Sequence, residues 1–197
     1  MRKGLAGLVS FVAMIMLCVA SQAATPSPLH RQVGSFEGKP VMVGSLTRTE
    51  IEKIVPGWVQ AEVEVRPLVA TARKLASVGK GARVSVYLGT WCPDSRREVS
   101  RLWRTLDEVG DNVSFTIRYF GIDHGLHRPA NLVKAAHLVR VPTFVVERDG
   151  RELGRIVEVS PHGIENDLLA LLTGKEHGLV TGSEDLLHSR NAVGARR

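Results

Sequence analysis

Residues 90–95 read Thr-Trp-Cys-Pro-Asp-Ser, and Cys92 carries the side chain in this chain best suited to covalent chemistry. A thiolate attacks a disulfide and forms a mixed disulfide without help from a second cysteine. Ser95 stands three residues on, where a second thiol could close an internal disulfide and a hydroxyl cannot. Trp91 adds an aromatic surface beside the thiol. Arg96 and Arg97 bring positive potential, while Asp94 lies nearer in sequence and opposes it. A second group, Asp123-His124-Gly125-Leu126-His127, offers two imidazoles that could move a proton or, with Cys92, hold copper or zinc. His-x-x-His in a glycine-containing loop is a weak metal signature, and a solvated loop is the plainer reading. No phosphate-binding loop, serine-hydrolase elbow or paired-carboxylate motif is present.

These residues need elements to aim them. Residues 83–89, Arg-Val-Ser-Val-Tyr-Leu-Gly, suit a short buried strand running straight into the Trp-Cys turn. Pro93 fits the first turn of a helix and disfavours helical geometry at the residue before it, so Cys92 is expected at the N-cap. There, unpaired backbone N–H groups and the helix dipole stabilise negative charge on sulfur, and the Ser95 hydroxyl could donate to it. Val99, Leu102, Trp103 and Leu106 continue the helix on one apolar stripe to about Val109.

Residues 113–119 alternate as a strand parallel to the first, which would bring His124 and His127 to the same sheet edge as Cys92. A helix from Pro129 to about Val139, a hairpin turning at Asp149-Gly150, and a helix opened by Ser160-Pro161 and stopped at Gly174 complete the order. Upstream, Thr47 and Glu50 have capping-box spacing before a short helix, and a second helix is expected from Pro67 to Val78. The predicted fold class is α/β, a central mixed sheet flanked by helices on both faces, with an N-terminal extension.

The chain has 197 residues, 44% hydrophobic and 23% charged, which fits one globular domain with extensions and excludes a wholly disordered chain. Arg2 and Lys3, the apolar run 5–19 and the small residues Ser21 and Ala23 predict a signal peptide over 1–23, and hence a periplasmic or secreted protein. The run is shorter than the roughly 20 residues that span a bilayer, so no stable membrane insertion is expected after cleavage. Leu17 before Cys18 is a poor lipoprotein signal, and Cys18 is expected to leave with the leader, so Cys92 remains as the single thiol. The net charge of +6 less Arg2 and Lys3 leaves about +4, spread without a basic block, which gives no argument for nucleic acid. Residues 24–66 are read as an N-terminal linker and extension, with 24–38 the linker proper. The main domain is placed at 67–174 and a flexible tail at 175–197.

Three stretches in order, Trp-Cys-Pro-Asp-Ser, then Val-Pro-Thr-Phe at 141–144, then Asp-Gly-Arg-Glu-Leu-Gly-Arg-Ile-Val at 149–157, resemble the thioredoxin superfamily. Within it, the chain is most similar to bacterial exported thioredoxin-like proteins with a Thr-Trp-Cys-x-Asp-Ser motif. The resemblance implies a thioredoxin-like fold, with Cys92 as the nucleophile and Ser95 at the resolving position. It also implies that Pro142 is a cis-proline opposite the thiol, that Val141 offers backbone groups to a bound peptide, and that Trp91 is the aromatic neighbour. Val86 stands where the superfamily has a buried acidic residue. Its absence and that of a second thiol both bear on self-resolution, so single-cysteine exchange on protein thiols, protein disulfides or a small-molecule thiol is expected, isomerase-like and without a cofactor. A redox-inactive binding or assembly module and, less favoured, a metal carrier using Cys92 with His124 or His127 are the alternatives.

Overall fold

The computed structural model describes residues 30–64, 66, 68–110 and 112–188. The predicted signal peptide, Cys18, Pro67 and the end of the predicted tail lie outside the described residues. Two strands, β1 (His30–Phe36) and β2 (Lys39–Leu46), form an antiparallel hairpin. Three helices follow: α1 (Arg48–Ile54), α2 (Gly57–Glu64) and α3 (Val69–Ser77). Then come β3 (Ala82–Leu88), α4 (Pro93–Asp107), β4 (Thr116–Gly121) and the short α5 (Ala130–Ala135). The chain closes with β5 (Thr143–Arg148), β6 (Arg151–Val157), α6 (Ile164–Thr173) and β7 (Gly178–Val180).

Among the described residues, seven strands join one mixed sheet in the order β1-β2-β4-β3-β5-β6-β7. β3 and β4 are parallel and α4 crosses between them, so the ends of both strands open on the same edge. β5 runs antiparallel to β3, with Val86 opposite Phe144, and β6 returns through a turn at Asp149 and Gly150, both at positive φ. Side chains alternate across β3. Val84, Val86 and Leu88 enter the main core with Val99, Leu102, Trp103 and Leu106 of α4, Leu168 and Leu171 of α6, and Ile51, Trp58 and Leu75 from the first three helices. Tyr87 points the other way and packs near Leu132 and Val133 of α5 in a second cluster containing Cys92, Ile122, Leu138 and Val141.

Several boundaries differ from the sequence reading, each for a local reason. Residues 24–38 read as a linker, yet 30–36 are a strand: Gly and Ser weaken its signal, but pairing with β2 satisfies its backbone. The extension is therefore part of the sheet, and its α1 and α2 pack through to α4. β4 starts at Thr116, not Val113, and reaches Gly121, where a Cβ would come within 2.5 Å of the Met42 carbonyl. α5 ends early because the chain turns to positive φ at His137. α6 begins at Ile164, after Gly163 as N-cap, while Ser160 and the His162 amide donate instead to the Asp167 carboxylate. β7 lies inside the predicted flexible tail and pairs with β6 in parallel. Among the described residues no helix is long and apolar enough to cross a membrane.

The capping box at α1 is formed as the spacing predicts. The Glu50 amide donates to Thr47 Oγ1 at 3.2 Å, and the Thr47 amide donates to Glu50 Oε2 at 2.7 Å. Thr47→Ala is expected to lower unfolding stability by about 1 kcal/mol, read from the midpoint of a urea titration followed by circular dichroism.

Candidate functional site

β3 ends at Leu88 and α4 begins at Pro93, so four residues, 89–92, turn the chain. The Cys92 amide closes that turn on the Gly89 carbonyl at 3.0 Å, and three further hydrogen bonds fix it. The Gly89 amide donates to the buried Ser95 Oγ at 3.1 Å, the Met42 amide donates to Thr90 Oγ1 at 3.1 Å, and the Thr90 hydroxyl donates to the Pro40 carbonyl. The Trp91 indole N–H donates to the Ile122 carbonyl at 3.1 Å. Gly89 is required under that ring, because a Cβ there would lie 2.6 Å from an indole carbon.

Cys92 is the N-cap of α4, and its sulfur accepts the Ser95 amide N–H at 3.5 Å. The thiol also lies 3.5 Å from the Val141 carbonyl oxygen, to which it donates. The Val141–Pro142 peptide bond is cis. Cys92 is a free thiol and only 6% exposed. The Ser95 group bonded to sulfur is thus its backbone amide, whereas its hydroxyl oxygen closes the turn on Gly89; the sequence expectation of a hydroxyl donating to sulfur is corrected to that extent. Val86, six residues before the thiol, is fully buried in the main core.

Asp94 pairs with Arg97 at 2.7 Å, and Arg97 also reaches Glu98 at 3.0 Å, so the charge of Arg97 is taken up on the helix itself. Burial pushes the Glu98 carboxyl above its ordinary value, with Arg97 opposing. Arg96 is exposed and has no ion-pair partner among the described residues.

The histidine loop does reach the same edge, but it meets the tryptophan. His124 stacks on Phe36 of β1 at a 3.7 Å ring separation and sits edge-on to Trp91 at 4.6 Å. His127 is exposed, and its backbone amide donates to Asp123 Oδ1 at 2.7 Å. The Arg128 amide shares that oxygen at 2.9 Å, and its guanidinium reaches Oδ2 at 3.3 Å. Burial alone would push the Asp123 carboxyl up, but these donors outweigh it and hold it below its ordinary value. Asp123 therefore organises the loop. Among the described residues there is no group of three or more His, Cys, Asp or Glu side chains placed to hold a metal ion.

The sequence reading missed a groove of about 270 Å³ beside Cys92. Trp91, Cys92, Pro93 and Arg96 form one side of it. The extension forms the other, through Lys39 and Pro40 at the start of β2 and Val55 to Trp58 between α1 and α2. Lys39 Nζ donates to the Trp91 carbonyl at 3.4 Å. The only sequence signal for this wall was an extension longer than the site itself needs.

A parallel β3–α4–β4 unit, an antiparallel β5–β6 hairpin followed by α6, and a Trp-Cys pair at the start of α4 define a thioredoxin-like fold. No family model matches the chain. It is 26% identical over 95 residues, 48% of its length, to a thioredoxin-like protein of Acanthamoeba polyphaga mimivirus, and the match spans 66% of that relative. Solved structures similar to it include the thioredoxin of Fasciola hepatica, at 23% identity and a TM-score of 0.35, covering 55% of this chain and 97% of that one. Mitochondrial thioredoxin 3 of Saccharomyces cerevisiae is similar at 17% identity and a TM-score of 0.34, covering 57% and 97%. The strand order and the viral relative together support the thioredoxin superfamily.

Ser95→Ala leaves the buried Gly89 N–H without its acceptor and is expected to cost about 1–3 kcal/mol, measured by urea unfolding. Asp123 contributes stability that is fully present above the unfolded carboxylate pKa of about 3.9 and is lost as pH falls through its lowered folded value. Asp123→Asn should therefore melt below the parent protein at pH 7, with the gap narrowing as thermal scans are taken below about pH 4.

Proposed function

We propose that the protein is an exported single-cysteine thiol–disulfide exchange protein. The observation that carries this reading is Cys92 at the start of α4, its sulfur receiving the Ser95 amide, facing the Val141–Pro142 loop and opening beside a groove. Sequence similarity to a thioredoxin-like protein supports a redox or thiol–disulfide role in general. Export to the periplasm or the outside follows from the leader-like residues 1–23.

In the proposed step the Cys92 thiolate attacks one sulfur of a disulfide. A new S–S bond forms between Cys92 and that sulfur, the old S–S bond breaks, and the departing thiolate takes up a proton. A negative charge on the Cys92 sulfur is met by the Ser95 N–H and the positive end of α4. Resolution needs a thiolate from elsewhere, either the substrate's own second cysteine or a small-molecule thiol. It attacks the mixed disulfide, and Cys92 leaves as thiolate. Attack by the substrate's own thiol rearranges disulfides with no net oxidation or reduction, hence isomerase-like chemistry.

A second reading, a binding or assembly module, is favoured by the low exposure of Cys92 and by its thiol donating to Val141. Two measurements separate them: the pH dependence of Cys92 alkylation, and capture of mixed disulfides from envelope proteins on non-reducing gels. Exchange predicts alkylation faster than that of a free cysteine peptide at neutral pH and adducts that vanish in Cys92→Ser. Alkylation no faster than the peptide, with no adducts, would leave the binding module.

A further inference from the structure

We infer that the groove between the extension and the Trp-Cys turn is a binding site for a carboxylate-bearing, low-molecular-weight thiol, the external thiol that resolves the Cys92 mixed disulfide. The inference rests on the exchange reading for its chemistry, but its binding component stands on the groove alone.

The groove is small, about 270 Å³, below the usual range for drug-sized ligands and in scale with a short peptide. Its lining combines an apolar part, from Pro40, Val55, Trp58 and Pro93, with two cations, Lys39 and Arg96. Among the described residues, no carboxylate lines it. That imbalance is local, because neighbouring cations are neutralised: Arg97 by Asp94 and Glu98, Arg48 by Glu52 and Asp107. Lys39 is held at the rim by the carbonyl of Trp91, the residue next to Cys92, and Arg96 projects from the first turn of α4. An anion here would meet two charges that have no carboxylate partner among the described residues, over an apolar surface and beside the reacting sulfur. A ligand with carboxylates and a thiol matches all three features. The extension supplies half of the site, which gives residues 39–58 a role that a bare thiol-bearing fold would not require.

The chemistry balances without a further oxidant. The bound thiol, as thiolate, attacks the partner sulfur of the Cys92 mixed disulfide. A disulfide forms between ligand and substrate, the Cys92–substrate bond breaks, and the Cys92 thiolate is released.

The test uses the full chain carrying Cys92→Ser, so that binding is read without covalent chemistry, with S-methylglutathione as the anionic probe and its dimethyl ester as the control. Isothermal titration should show the dicarboxylate bound at least about fivefold more tightly than the ester. Adding Lys39→Gln with Arg96→Gln should remove that preference while leaving the melting temperature in place. Equal affinity for probe and ester, or a preference that survives the double change, overturns the site. A second arm follows return of the free Cys92 thiol, by mass, from a mixed disulfide between Cys92 of the parent chain and a neutral cysteine peptide, on adding glutathione or neutral mercaptoethanol. The site predicts a glutathione preference, relative to a model disulfide, that the double change abolishes. A chain that binds the probe but never forms that mixed disulfide refutes exchange at Cys92 while the binding site stands. One that forms it and is resolved without charge preference refutes the resolving role.

Discussion

The hydrogen bond from the Gly89 amide to the Ser95 hydroxyl holds the end of a strand against the first turn of the next helix, and the geometry of the site depends on it. With that turn closed, Cys92 can only be the N-cap of α4, and its sulfur falls against the Ser95 amide on one side and the Val141 carbonyl on the other. Gly89 leaves the space that Trp91 fills, and the indole N–H reaches the Ile122 carbonyl across the sheet edge. The buried Ser95 hydroxyl, accepting the Gly89 amide, therefore leaves no polar gap in the fold.

The N-terminal extension is built into the same arrangement. β2 hydrogen-bonds to β4, Thr90 bonds both Pro40 and Met42, and Trp58 packs on Trp103 in the main core with ring centroids 5.6 Å apart. Phe36 then stacks on His124, which in turn touches Trp91. Residues far apart in sequence thus fix the surroundings of one thiol from two directions, the hairpin above and the α1–α2 corner beside it. The imidazoles that could have served as ligands or bases are engaged in aromatic packing or face solvent.

The central elements were legible because their signals are local. Pro93 after Cys92, the apolar stripe of α4, the Asp149-Gly150 turn and the Thr47-Glu50 spacing each act over a few residues, and each element formed where expected, to within a few positions. Less legible were the edge strands β1, rich in glycine and polar residues, and β7, only three residues long. Their existence depends on a neighbouring strand that supplies backbone partners, which composition does not record. The same holds for α6, whose start was drawn to Ser160 although the Asp167 carboxylate claims that serine.

For the site, the sequence by itself determined that Cys92 is the one thiol of the main domain, because residue identity settles it. It also specified a helix start at Cys92, through backbone preferences that need no distant contact. Only the tertiary structure decided what surrounds the sulfur: the Val141 carbonyl, the buried Ser95 hydroxyl turned to Gly89, and a groove walled by Lys39, Val55 and Trp58. Those neighbours are 3 to 53 residues from Cys92 in the chain, and most are brought to it by sheet pairing and core packing, which no local pattern encodes.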